Sequence, residues 1–122
     1  MPSPTQASGT PAPAETLLHI AERHHWESAR DSGVSYTMST RGRTLDEEGF
    51  VHCSKDLDQV AGVLARFYAD VDRGTLALLV LDPAKLDTPV RYEPAGDEIF
   101  PHIYGPIPLP AVIDVRPVPE SL

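Results

Sequence analysis

The sequence predicts an α+β domain. Three observations carry this: short apolar runs of strand length at Leu17–Ile20 and Leu76–Leu81, alternating strands such as Phe50–Ser54, and an amphipathic helical stripe from Asp56 onward. With 122 residues there is room for one core and too little chain for two of ordinary size. The composition, 41% hydrophobic and 23% charged, is that of a globular chain, and no apolar run approaches a membrane span.

Residues 1–15 hold Pro2, Pro4, Pro11 and Pro13 among Ser, Thr, Ala and Gly, which predicts a disordered leader before a single domain over 16–122. In the first strand His19 projects opposite to Leu18 and Ile20. A helix over Glu22–Ser32 follows, with Trp26 and Ala29 on one side and Gly33 at the position that ends it. Residues 35–48 are weakly patterned, and Asp46-Glu47-Glu48-Gly49 reads as a turn into the next strand. There alternation puts Phe50, His52 and Ser54 on one face.

Asp56 and Gln59 have the spacing of a capping box, and Leu57, Val60, Ala61, Leu64, Phe67, Tyr68 and Val71 form the stripe of the second main helix. The unbroken run Leu76–Leu81 predicts a central strand covered on both faces. Asp82-Pro83 starts a one-turn helix through Leu86. Val90 to Glu93 alternates as a strand that stops at Pro94-Ala95-Gly96. Phe100, His102 and Tyr104 then share one side of a strand that Pro101 predicts to be an edge. Beyond the prolines of 105–110, residues 111–118 close the sheet.

The net charge of −8 argues against a nucleic-acid partner, because an acidic surface repels a phosphate backbone. A lone cysteine, Cys53, forms no internal disulfide, and the N-terminus lacks the pattern of a secretory signal, so a cytoplasmic location and no membrane association are expected.

Chemistry points to histidine, the side chain whose charge changes near neutrality. His19, His52 and His102 all lie in strands. Taken singly, each reads equally well as a half-buried histidine satisfied by a backbone carbonyl. Closely spaced zinc-ligand pairs are absent and no metal is expected, while His24 and His25 read as solvated surface on the first helix. Cys53 and His52 face opposite ways in a regular strand, so Cys53 reads as core. Ser54 shares the face of His52. Among nearby carboxylates, Glu93, Asp97 and Glu98, the last leads into His102 and is the preferred acid. Tyr104 offers a ring for stacking. No Walker, Gly-x-Gly-x-x-Gly, zincin or Gly-x-Ser-x-Gly motif is present.

Leu18-His19-Ile20, Trp26, Glu48 to Ser54, the Leu76 to Pro83 strand and turn, Arg91-Tyr92-Glu93 and Phe100 to Ile107 together resemble the bacterial family called domain of unknown function 952. The resemblance covers residues 17–115. It implies a fold like that of the ADP-ribosyltransferases, a split, bent mixed sheet with two main helices whose cleft holds NAD in catalytic members. By that likeness His19 matches the residue that binds the NAD ribose, with Ser54 and Tyr104 beside the ligand, and Glu98 would orient the sugar. The chain departs from the transferase pattern at His52 and in a late motif built around His102. Three expectations therefore stand: a protein binding NAD or a nucleotide and transferring ADP-ribose, a cofactor-independent enzyme using His52 and His102 as acid and base on a small molecule, and a non-catalytic ligand-binding module.

Overall fold

The computed structural model describes residues 16–122, and the leader expected over residues 1–15 lies outside the described residues. In chain order the elements are β1 (Leu17–Glu22), α1 (Arg23–Ser32), β2 (Met38–Thr40), β3 (Arg43–Thr44), α2 (Leu45–Glu48) and β4 (Val51–His52). They continue with α3 (Leu57–Phe67), β5 (Leu76–Leu81), β6 (Val90–Ala95), β7 (Glu98–Ile103) and β8 (Val112–Pro117).

The strand β5 pairs with β1 on one side and β8 on the other, and all six of its residues are buried. This is what its unbroken apolar run encodes: both faces are covered. Ala77, Leu79 and Leu81, with Leu17 and Ala21 of β1, pack on Trp26 and Ala29 of α1 and on Tyr36, Val51 and Ile103. On the opposite face Leu76, Leu78 and Val80, with Leu18 and Ile20, pack on Val60 and Leu64 of α3 and on Tyr68. α1 ends where expected, at Gly33 with φ of 67°, a left-handed conformation that glycine adopts at low cost.

α3 starts on Asp56, whose side chain accepts from the Gln59 N–H at 2.9 Å. The Gln59 side chain does not return to Asp56. It accepts from the Lys55 N–H at 3.0 Å, one residue further back. The helix is also shorter than its stripe suggested, stopping at Phe67, and Leu57 and Phe67 are exposed rather than part of the buried face. Both sit at its ends, beyond the sheet that covers Val60 and Leu64.

A second three-stranded group has the order β4-β7-β6. β7 is therefore its middle strand, not an edge as Pro101 suggested. Cys53 N–H donates to the Pro101 carbonyl at 3.1 Å, so the N–H that proline lacks would face β4, and β4 ends at that point. Toward β6 the ladder runs uninterrupted from Val90↔Ile103 to Ala95↔Glu98. The two three-stranded groups meet through one bridge, Leu18 N–H to Ser54 O at 2.8 Å and Ser54 N–H to Leu18 O at 2.7 Å.

All strand pairs among the described residues are antiparallel, which corrects the expected mixed sheet. The weakly patterned residues 35–48 form a small β2–β3 hairpin and α2, whose start is a Thr44/Glu47 capping box. Among the described residues no helix is long and apolar enough to cross a membrane.

Candidate functional site

The register of the second sheet builds the site. His52 lies directly opposite His102 across β4 and β7, so both side chains emerge on one face with their rings edge to face at 5.3 Å. Phe50 reaches the same face by alternation. Its ring stacks on His102 at 4.1 Å and contacts His52 at 4.8 Å and Tyr104 at 5.3 Å. The Ser39 hydroxyl, donating to the Phe50 carbonyl, ties this segment to β2.

The carboxylate at this cluster is Glu93. Its Oε1 lies 2.7 Å from His102 Nδ1 and accepts the Tyr104 hydroxyl at 2.6 Å. The Tyr104 hydroxyl and His102 together hold the Glu93 carboxyl below its usual range, and Glu93 in turn pushes the Tyr104 phenol up. Arg91 lies over the Tyr104 ring at 5.0 Å. A carboxylate on Nδ1 selects the tautomer with the proton on that nitrogen and leaves Nε2 as the basic atom.

His52 has a carboxylate of its own. Its Nε2 is 3.5 Å from Glu48 Oε1, and Arg43 holds the other Glu48 oxygen at 3.0 Å. Burial pushes the His52 imidazole down, while Glu48 pulls against that shift. The Arg43 guanidinium, then His52, keeps the Glu48 carboxyl low.

His19 lies behind these rings. It is only 2% exposed, its Nδ1–H donates to the His52 carbonyl at 2.6 Å, and its Nε2 accepts the Tyr36 hydroxyl at 2.9 Å. Burial lowers its imidazole to about 4, so it is neutral at physiological pH. Both nitrogens are engaged, and its evident effect is to fix the backbone that carries His52.

His52 and His102 open onto a cavity of about 730 Å³, within the size range of small-molecule sites. Its walls are largely apolar, from Leu18, Ile20, Phe50, Phe67 and Phe100, and among the described residues its lining arginines are Arg41 and Arg66. Arg41 is held by Asp70 at 2.8 and 3.0 Å.

Of the six residues singled out in the sequence, the structure gathers His52, His102 and Tyr104 by ring contact and sets His19 and Ser54 beside them on the cavity wall. Glu98 is not brought in. It begins β7, is exposed, and accepts from Gln59 Nε2 at 3.2 Å, while Glu93 occupies the place beside His102. The signal for Glu93 was present: a turn at Gly96-Asp97 sets Glu93 opposite Phe100 and hence diagonal to His102. Cys53 is buried and its thiol pushed up by burial, which removes it as a nucleophile.

These features define a class: a small α+β domain whose split antiparallel sheet presents two histidine–carboxylate pairs to one apolar cavity. The chain belongs to the family described as protein of unknown function (DUF952), whose model matches residues 20–115. Two crystal structures of protein CC0527 from Caulobacter crescentus share the fold. One is 24% identical and the other, a double methionine variant, 23%; each comparison covers 85% of this chain and 86% of the other, with a TM-score of 0.67. No curated protein matches the chain.

Proposed function

We propose that the protein is an enzyme that moves protons on a small organic molecule without a nucleotide cofactor. The observation that carries this is the Glu93–His102 pair, 2.7 Å apart, with His102 beside His52 on the same cavity wall. His102 takes a proton at Nε2, and Glu93 stabilises the imidazolium that forms. His52, beside His102 on the same face with Glu48 3.5 Å from its Nε2, returns a proton. The apolar wall raises the strength of these charges and favours a substrate with a compact apolar body.

The test is proton exchange in heavy water. A panel of small carbonyl and hydroxy acids is incubated with the protein and deuterium incorporation is followed by proton NMR. Exchange that drops by about 100-fold or more in His102→Gln and Glu93→Gln supports the reading. Exchange unchanged in both variants, or none on any member of the panel, counts against it.

A second reading, binding of NAD or a nucleotide with ADP-ribosyl transfer, draws on the cavity volume and on Arg66, a wall residue that makes no ion pair with a described residue. It places the phosphates at Arg66 and the ribose at His19 with Ser54 beside it, and leaves the sugar-orienting role unfilled, since Glu98 stands outside the cavity. It requires His19 to exchange its Tyr36 hydrogen bond for one to the sugar. Calorimetry with NAD and ADP-ribose separates the readings: heat at millimolar nucleotide favours this one, and silence from folded protein removes it.

A further inference from the structure

We infer that Glu22, His24 and His25 form a binding site for a divalent transition-metal ion, apart from the histidine cavity. The chain passes here from the end of β1 into the first turn of α1. One ligand atom from each of the three side chains lies within 4.8 Å of the other two. His25 Nε2 is 3.8 Å from Glu22 Oε1, and the two imidazole rings are 4.0 Å apart between centroids. Metal–nitrogen bonds near 2.0–2.1 Å in a tetrahedral site put ligand atoms about 3.4 Å from one another. Small rotations of these side chains, His24 exposed and the other two partly so, close that difference.

The surroundings favour occupation. Arg23, the cation between these residues in sequence, is turned away to the carbonyls of Gly74 at 3.3 Å and Leu76 at 2.9 Å. Glu22 is already oriented, because its Oε1 accepts the Gly42 N–H at 3.1 Å. The N-terminus of α1 opposes a cation, and the Glu22 carboxylate at the cap position offsets that field. Two imidazoles with one carboxylate select zinc, nickel or copper over magnesium or calcium, which prefer oxygen ligands throughout. Three protein ligands leave at least one coordination position to water.

The experiment is calorimetric titration of the untagged full chain with zinc chloride, with imidazole resonances followed by NMR. Saturable uptake of one ion per chain is expected, with perturbation confined to His24 and His25. His24→Asn, His25→Asn and Glu22→Gln should each weaken binding by about tenfold or more, equivalent to about 1.4 kcal/mol. Glu22→Gln keeps an acceptor for Gly42, and all three changes are at the surface, so unaltered thermal unfolding of each apo variant verifies the fold. Absence of saturable binding, binding indifferent to His24→Asn, or zinc that perturbs His52 and His102 instead overturns the inference.

Discussion

Glu93 Oε1 accepts two hydrogen bonds at once, from His102 Nδ1 at 2.7 Å and from the Tyr104 hydroxyl at 2.6 Å, and so fixes both rings that flank Phe50. One carboxylate thus sets the tautomer of the histidine that borders the cavity. Replacing it with an amide substitutes an ambiguous partner that both donates and accepts. Glu93→Gln is expected to convert His102 from the single Nδ1–H tautomer to a mixture, read from the ring nitrogen chemical shifts. Glu98→Gln, changing an exposed carboxylate outside the cavity, should leave those shifts unmoved.

Gln59 ties α3 to the site's sheet. Though only 2% exposed, it accepts from Lys55 N–H at 3.0 Å and donates to the Ile99 carbonyl at 2.9 Å and to Glu98 at 3.2 Å. Gln59→Leu keeps the volume and removes all three bonds, leaving the part-buried Lys55 N–H and Ile99 carbonyl without their protein partner. A loss of about 2–4 kcal/mol is expected in urea unfolding. A change under 0.5 kcal/mol would show that these groups find other partners.

The pH dependence of stability follows from His19. Its imidazole falls from 6.5 to about 4 on folding, chiefly through burial. The unfolded chain therefore takes up a proton that the native state refuses over that interval. Stability is complete above pH 6.5 and declines as pH falls toward 4, by about 3 kcal/mol in total from this group. His19→Gln, which can still donate to the His52 carbonyl and accept from Tyr36, should flatten that slope in urea titrations between pH 7 and 4.5. An unchanged slope would place the proton uptake elsewhere.

How far the sequence reveals this molecule depends on what each pattern reports. The run Leu76–Leu81 reports burial on two faces, and β5 lies between β1 and β8 with both faces covered. Alternation alone puts Phe50 with His52, and Phe100 with His102 and Tyr104, whatever strand lies alongside. Pairing was harder, because it depends on register. Nearness along the chain favours Glu98 over Glu93, yet the Gly96-Asp97 turn folds Glu93 back onto the face of His102. Pro101 is compatible with a middle strand for a related reason: a proline costs a ladder bond on one side only, and here that side is where β4 ends. Leu57 and Phe67 keep helical spacing but fall at the ends of α3, where no sheet covers them. The engagement of His19 rests on Tyr36, supplied by the segment with the weakest pattern.

His52 tests the electrostatics of the pair most directly, because two of the three influences on it, Glu48 and His102, can be removed one at a time. Burial lowers its imidazole, Glu48 at 3.5 Å raises it, and His102 across the ladder lowers it. Wild-type His52 should therefore titrate below 6.5 in an NMR series. Glu48→Gln removes the opposing charge and should move the midpoint further down. His102→Gln removes the neighbouring imidazole that lowers it and should move it up. Arg43→Gln frees Glu48 from its competing cation, which strengthens the pull of Glu48 on His52 and shifts the midpoint upward as well. The opposite signs for Glu48→Gln and Arg43→Gln are the decisive comparison, because general loosening of the site would re-expose His52 and raise both. If both variants moved the midpoint upward, burial alone would govern His52 and the Glu48 contact would have no electrostatic role.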